Sequence, residues 1–530
     1  LFNGNIAHVV NSITDIASGS PTFGQPIPQL SAYRYDQLNR VKQMKSYRDI
    51  NLASNTWGNG SAYDGSYETH LSYDANGNIL TLQRNGVAGV NVNMDNFTYQ
   101  YQNVANGYGT TTNKLRHVND NPAYTNNYQN DLDDQGTFSI GSENYAFDET
   151  GNQTQDLSEG IINQQWNVYG KVKSITRLNG SLKPDLEFKY DASQRRIAKI
   201  VKPRDINGQR PMNEWVTTHY VRDAQGNTLA VYEQSTDQQT QTASFKLKER
   251  YLYGMNRLGA DKTEVEMIGA PPPGTTSFSR TIGNKNYELI NFRGDIVSVI
   301  TDKKIGVEDA LNPGTVAYYN PDIITTNETY LYGMPQPGRN VGLTESRHGY
   351  QGQEAVDEIN GKPKTHYTTD YWELNTLTGR RENNDQVVKP WESPYATFAN
   401  NPIWFSDPFG LDTVPGTGGG GPLPEGFDPE IDVIQLPDVV ITPEKTEPPA
   451  AASSANGNVS TSSPLLDNTY QGAKVAKFAL SLEDKFKYNY GSPSRPLANL
   501  KPVAGQQFDC SAFVFYCMNQ FYPDIAGLMG

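Results

Sequence analysis

Cysteine is almost missing. The chain has two in 530 residues, Cys510 and Cys517, so no disulfide framework holds it together. On one helix they would stand about 10 Å apart, too far to bridge each other. Histidine is also scarce: His8, His70, His117, His219, His348 and His366 are scattered, and none lies near a cysteine. No zinc pattern results, and neither a metal nor a cofactor is expected. No run of about 18 apolar residues occurs, which excludes a helical membrane span. There is no long Lys/Arg run, and the net charge is −14. A phosphate backbone needs a basic face, so nucleic acid is not an expected partner. Apolar residues make up only 36% of the chain.

What is present is turn chemistry and tyrosine. Gly (47), Pro (32) and Tyr (32, against 19 Phe) suit many short strands joined by tight turns. A unit recurs: "YRYDQLNRV" with Tyr35-Asp36, "LSYDANGNILTL" with Tyr73-Asp74 and Gly77-Asn78, "YAFDETGNQTQ" with Phe147-Asp148 and Gly151-Asn152, "FKYDASQRRIAKI" with Tyr190-Asp191, and "YVRDAQGNTLAVY" with Arg222-Asp223 and Gly226-Asn227. Asp opens a turn by bonding the backbone beyond it, and Gly-Asn accepts positive φ. The flanks alternate with period two, which is the pattern of a hairpin. A calcium loop needs several converging carboxylates, so these Asp and Asn residues read as turn formers.

These units resemble the YD repeats of the Rhs family. Towards residue 411, "GYQGQEAVDEINGK" (349–362), "LNTLTGRRENND" (374–385) and "SPYATFANNPIWFSDPFGL" (393–411) are similar to the Rhs repeat-associated core. The resemblance implies a mainly β chain: a hollow YD-repeat shell over 1–348, which is incomplete if its N-terminal wall is missing, closed by the core at 349–411. After the core such proteins carry a variable C-terminal domain, often a toxin. Residues 412–465 are rich in Gly, Pro, Ser and Thr and read as a linker. "IDVIQLPDVVIT" within them adds at most one short strand. Helical periodicity returns in "AKVAKFALSLEDKF" (473–486), with Val475, Phe478, Ala479 and Leu482 on one face.

Both cysteines lie in "QQFDCSAFVFYCMNQF" (506–521). Asp509 reads as an N-cap, which sets Cys510 in the first turn of an apolar helix, where the dipole favours a thiolate. Cys517 reads as packing. The Asp-Cys-Ser string, with "KYNYGS" (487–492) before it, resembles NlpC-type cysteine peptidases of papain-like α+β fold. That resemblance covers 466–530 and implies Cys510 as nucleophile with Tyr488 beside it. Ala512 replaces the usual Gly, and the segment between Gly491 and Cys510 is longer than usual. The family's base is a His downstream of the cysteine helix, and no His follows Cys510 here. A cysteine nucleophile needs a base, so we expect this segment to be truncated and idle as a peptidase. The chain also starts at Leu1 with no signal peptide, so a fragment or processed form is expected.

The Rhs resemblance implies a second chemistry, self-cleavage after Leu411 by the pair Asp385 and Asp407. This core departs from the pattern. Trp372 stands where an Arg is expected, Asn375 replaces an Asp, Thr376 a Pro, and Gln386 the Pro after Asp385. Losing the Arg removes a charge that positions the pair, so the 411–412 bond is expected to stay intact or to be cut slowly. Read as residues alone, Asp407 opens a turn before Pro408 and Asp385 is solvated.

The expected function is that of a secreted or cell-surface polymorphic toxin whose shell packages a cysteine hydrolase acting on peptidoglycan peptides or similar amides. The style of the core and of "LPDVVITP" looks like Bacteroidota proteins, which implies a type IX secretion machine and an immunity protein as partners. The alternative is a structural, adhesive or carbohydrate-binding surface protein with an inert C-terminal domain, since Tyr-rich β surfaces suit sugar stacking.

Overall fold

The computed structural model describes residues 4–415 apart from short stretches, the longest being 270–280. Beyond them it describes Lys487–Tyr488 and Gln507–Phe508. The chain divides into two units, Leu1–Val433 and Ile434–Gly530.

The first unit is mainly β and antiparallel. Seven strands from His8–Thr14 to His117–Asn119 form one sheet, and fifteen from Tyr145–Phe147 to Pro335–Val341 form another. In both, neighbours in space follow chain order, with one short strand, Val265–Glu266, set off the path. Such a meander is what hairpin-sized repeats build, because each return strand pairs with the one just laid down.

The repeat has one geometry throughout. Asp74 N–H donates to the Asn78 carbonyl (3.0 Å), and the Asp74 carboxylate accepts from Asn78 N–H (2.8 Å) and from the Asn78 amide (2.8 Å). Asp148–Asn152 and Asp223–Asn227 repeat these bonds. Gly77, Gly151 and Gly226 take positive φ (81°, 92° and 98°) at the residue before the Asn. This is the three-residue hairpin loop that ends in a left-handed residue. Asn39 and Gln194 fill that position, at φ 62° and 61°, where the repeat lacks Gly. The sequence reading gave positive φ to Gly-Asn jointly. Gly takes it, and Asn instead binds the Asp carboxylate. The residue before each Asp (Tyr35, Tyr73, Phe147, Tyr190, Arg222) sits at a register shift, and such bulges add twist. Two further turns of this build are opened by Asn. Asn167–Lys171 and Asn291–Asp295 each close with the same N–H to carbonyl bond (2.9 and 3.0 Å). Asn can open the turn as Asp does, so a search keyed on Asp misses both.

The segment 349–411 is built differently from the repeats. It has a sheet of four short antiparallel strands (Glu354–Ala355, His366–Thr368, Glu373–Asn375, Arg380–Arg381), a fifth short strand, Phe405–Ser406, that pairs with Val414–Pro415, one helical turn at Asp357–Asn360, and otherwise turns and irregular segments. It is nonetheless largely buried. Tyr350, Tyr367, Trp372, Leu374, Leu377 and Phe398 pack with Met44, Ile79, Phe97, Tyr99, Tyr330 and Tyr332 in one apolar core. Turns can be buried here because the sheets satisfy their polar groups. Arg84 donates to the carbonyls of Thr376 (3.3 Å) and Leu377 (2.8 Å), and Tyr99 to that of Thr378 (2.9 Å). From the second sheet, Arg177 donates to the carbonyls of Glu358 (2.8 Å) and Ile359 (2.7 Å), and Lys199 pairs with Glu358 (2.7 Å). The Asn pair in "FANNP" holds two repeat turns: Asn400 donates to the Gly77 carbonyl (2.9 Å), and Asn401 to that of Asn39 (3.0 Å). Phe398, Ala399 and Asn400 all have positive φ (54°, 48° and 56°). These conformations are costly for residues with a Cβ and persist only where the surroundings fix them.

In the second unit Lys487–Tyr488 and Gln507–Phe508 pair in parallel. The expected helices at 473–486 and after Asp509 lie outside the described residues. No helix among the described residues is long and apolar enough to cross a membrane.

Candidate functional site

The core ends in a turn built by Asp407. Its side-chain oxygen accepts from the N–H groups of Gly410 (2.7 Å) and Leu411 (3.1 Å). Its own backbone is held on both sides: Asp407 N–H donates to Gln351 Oε1 (2.8 Å), and Gln353 Nε2 donates to the Asp407 carbonyl (2.9 Å). Gly410 is obligatory here. Its φ is +76°, and a Cβ would stand 2.4 Å from Thr369 Oγ1 and 2.6 Å from Trp372 Cγ. Thr369 Oγ1 donates to the Phe409 carbonyl (2.6 Å), and Tyr371 N–H donates to the same oxygen (2.9 Å). Leu411 is therefore presented on a turn gripped by the 369–372 segment.

Asp385 follows the Arg380–Arg381 strand. The Arg381 Nη1 pairs with Asp385 Oδ2 at 2.9 Å, with the arginine side chain only 1% exposed. Arg381 Nη2 also donates to the carbonyls of Tyr371 (2.9 Å) and Gly410 (3.1 Å). Its guanidinium lies over the Trp372 ring, 5.6 Å from the centroid. Burial pushes the Asp407 carboxyl up to about 6. Gly410 N–H and the Arg381 charge restrain that rise, and the Asp385 charge adds to it.

Three sequence expectations meet this geometry. Asp407 does open a turn, yet its carboxyl is also electrostatically coupled to Asp385 and Arg381. Asp385 is ion-paired rather than simply solvated. The expectation that Trp372 leaves the pair without a cation is corrected, because Arg381 supplies one against the face of that same tryptophan. Trp372 itself is buried, donates from Nε1 to Gln353 Oε1 (3.1 Å), and meets Phe398 edge-on at 5.1 Å. Sequence reasoning missed Arg381. The available signal was its spacing four residues ahead of Asp385, the distance of an Arg–carboxylate pair on one turn. Asn375 is buried on its strand, and its Oδ1 accepts from Leu377 N–H (3.1 Å), so it serves the 375–378 turn.

Asp385 is thus paired with Arg381, and the charges of both act on the raised Asp407 carboxyl. No group of three or more His, Cys, Asp or Glu side chains that could hold a metal ion occurs among the described residues. Of the second predicted site, Cys510 lies outside the described residues. The backbone of Tyr488 pairs with Phe508, two residues before Cys510. Of the tyrosines expected to offer a sugar-stacking surface, Tyr67, Tyr145, Tyr330, Tyr332, Tyr350 and Tyr367 are at most 2% exposed, whereas Tyr169, Tyr318 and Tyr319 face outward.

No protein-family model matches the chain, and no curated protein matches it. Among solved structures it is similar to a TcdB2–TccC3–Cdc42 crystal structure (15% identity, TM-score 0.41, covering 76% of this chain). It is also similar to a Photorhabdus luminescens Tc holotoxin pore with a substituted TccC3 (15%, 0.41, 77%) and to TcdB2–TccC3 without its hypervariable C-terminal region (16%, 0.40, 76%). In each case the chain spans 18% of the length of the chain it matches.

Proposed function

We propose that this chain is a toxin carrier of the Rhs type. Residues 1–348 form its wall and 349–411 its core, and hydrolysis after Leu411 releases the C-terminal cargo. The observation that carries the release step is the buried Arg381, which pairs with the half-buried Asp385 and bonds the Gly410 carbonyl in the turn that Asp407 builds before Leu411. In that step water adds to the Leu411 carbonyl carbon and gives its proton to the Asp385 carboxylate. The C–N bond to Asp412 breaks, and the Asp407 carboxyl donates its proton to the departing nitrogen. The products are a Leu411 carboxyl and an Asp412 amine, with no co-reactant beyond water. The reaction needs Asp407 protonated, so it runs faster below pH 6 than at pH 8. Trp372, Asn375 and Gln386 depart from the family residues, and the cut is slow.

The cargo begins as an NlpC-type cysteine hydrolase with Cys510 as nucleophile and Tyr488 beside it, acting on peptidoglycan stem peptides or similar amides. A secretion machine delivers the carrier to the surface or beyond, and an immunity protein guards the producer. The deciding experiment follows the purified chain by intact mass over days. Fragments that end at Leu411 and begin at Asp412 are expected, and are expected to be absent in Asp385→Asn and Asp407→Asn. A chain that stays whole contradicts the release step.

A further inference from the structure

We propose that Arg381 is the positioning residue of this centre, holding Asp385 and the Gly410 carbonyl in one fixed arrangement ahead of the 411–412 bond. The inference rests on the cleavage reading above. It goes further by assigning the control of that centre to a residue at a position where the sequence pattern expects none.

Four observations converge on Arg381. Its guanidinium reaches three acceptors at once: Asp385 Oδ2 (2.9 Å), the Tyr371 carbonyl (2.9 Å) and the Gly410 carbonyl (3.1 Å). These acceptors come from three separate stretches, namely the residues after its own strand, the 369–372 segment and the terminal turn. Only a planar fork with several fixed N–H groups joins such a set, and an ammonium on a flexible stem does not. The Trp372 ring fixes the plane of the fork, and Trp372 is in turn tied through Gln353 to the Asp407 carbonyl. Both aspartates therefore answer to one buried cation, Asp385 by direct pairing and Asp407 by charge. Its Nε has no hydrogen-bond partner among the described residues.

The consequence is specific. Arg381 does not touch the bond that breaks. It acts through Asp385, through the orientation of the Gly410–Leu411 peptide and through the charge felt at Asp407. Without it, the restraint on the rise of the Asp407 carboxyl is lost, and the alkaline limb of the cleavage profile moves to higher pH.

The test uses the full 530-residue chain, with cleavage rates read by mass spectrometry from pH 4.5 to 8.5, for the parent, Arg381→Lys and Arg381→Met. Arg381→Lys keeps the charge and is expected to cut about tenfold more slowly with the limb little moved. Arg381→Met is expected to lose about a hundredfold at the parent's optimum, with the limb shifted up by about one pH unit. Circular dichroism and urea midpoints check that both variants keep the β fold. Should Arg381→Met unfold, the Arg381→Lys profile alone decides: a tenfold loss supports the assignment, and the parent rate overturns it. A rate loss in Arg381→Met with an unmoved limb makes Arg381 merely structural and overturns the inference, as does cutting at the parent rate. A parent that stays whole at every pH overturns the cleavage reading and this inference together, whereas a parent that cuts while Arg381→Met cuts identically overturns only the inference.

Discussion

Arg84 links the first sheet to the core, and its removal gives the sharpest test of how the two are joined. The side chain is 1% exposed and pairs with Asp95, which is fully buried. It donates to two core carbonyls and lies over Phe97 (5.4 Å) and Tyr330 (6.0 Å). Arg84→Ala leaves the Asp95 carboxylate without its cation. The neighbouring Asp131 adds no second charge, because burial and then Asp95 hold its carboxyl up at about 10. Breaking a buried pair from one side costs about 3–5 kcal/mol. The orphaned carbonyls of Thr376 and Leu377 add about 1–3 kcal/mol each if water cannot reach them. A total of about 5 kcal/mol is a large part of a domain's stability. The assay is amide exchange at Leu374–Arg381, expected to accelerate at least about a thousandfold, since each 1.4 kcal/mol is tenfold. Adding Asp95→Asn removes the stranded charge and is expected to recover about 2 kcal/mol. Exchange within tenfold of the parent in Arg84→Ala, or no recovery in the double variant, refutes the view that this ion pair anchors the core.

Three further outcomes follow from the geometry. Burial and then the Glu159 charge raise the Asp156 carboxyl to about 7. Its folded value lies above the unfolded one of about 4, so its stabilising proton is fully present below pH 4 and lost as pH rises through 7. The urea midpoint should fall between pH 5 and 8, by about 2 kcal/mol in unfolding free energy, and Asp156→Asn should flatten that slope. Gly410→Ala forces a Cβ onto Thr369 and Trp372 at a left-handed φ, so cleavage after Leu411 should drop at least about tenfold, with a change in Trp372 fluorescence. Peptidase activity on stem peptides should be absent from these 530 residues, where no His follows Cys510; turnover abolished by Cys510→Ala would contradict the missing-base argument.

The repeat hairpins were legible because everything that makes them is local. Asp, Gly and Asn within five residues supply the turn, and the alternating flanks supply the strands. Even so, Asn167 and Asn291 opened turns that an Asp-based search passed over. The core was legible as a motif but not as a structure. Its stability comes from pairs such as Arg84 with Leu377 and Tyr395 with Gly151 (2.6 Å), whose partners lie hundreds of residues apart and leave no spacing to read. The candidate centre was half legible. Asp385 and Asp407 were named from their motif, while Arg381 was hidden because the pattern placed the cation at 372. Only the fold brings Arg381 onto the face of the Trp372 ring and into its pair with Asp385.

The central claim is that Asp385 and Asp407 cut this chain after Leu411. Intact-mass spectrometry of the purified protein, held at pH 5.5 and sampled over days, tests it most directly. The account predicts slow growth of one fragment ending at Leu411 and its complement beginning at Asp412, in the parent and in neither aspartate variant. A parent that remains whole, or fragments that form equally in Asp385→Asn and Asp407→Asn, would contradict it.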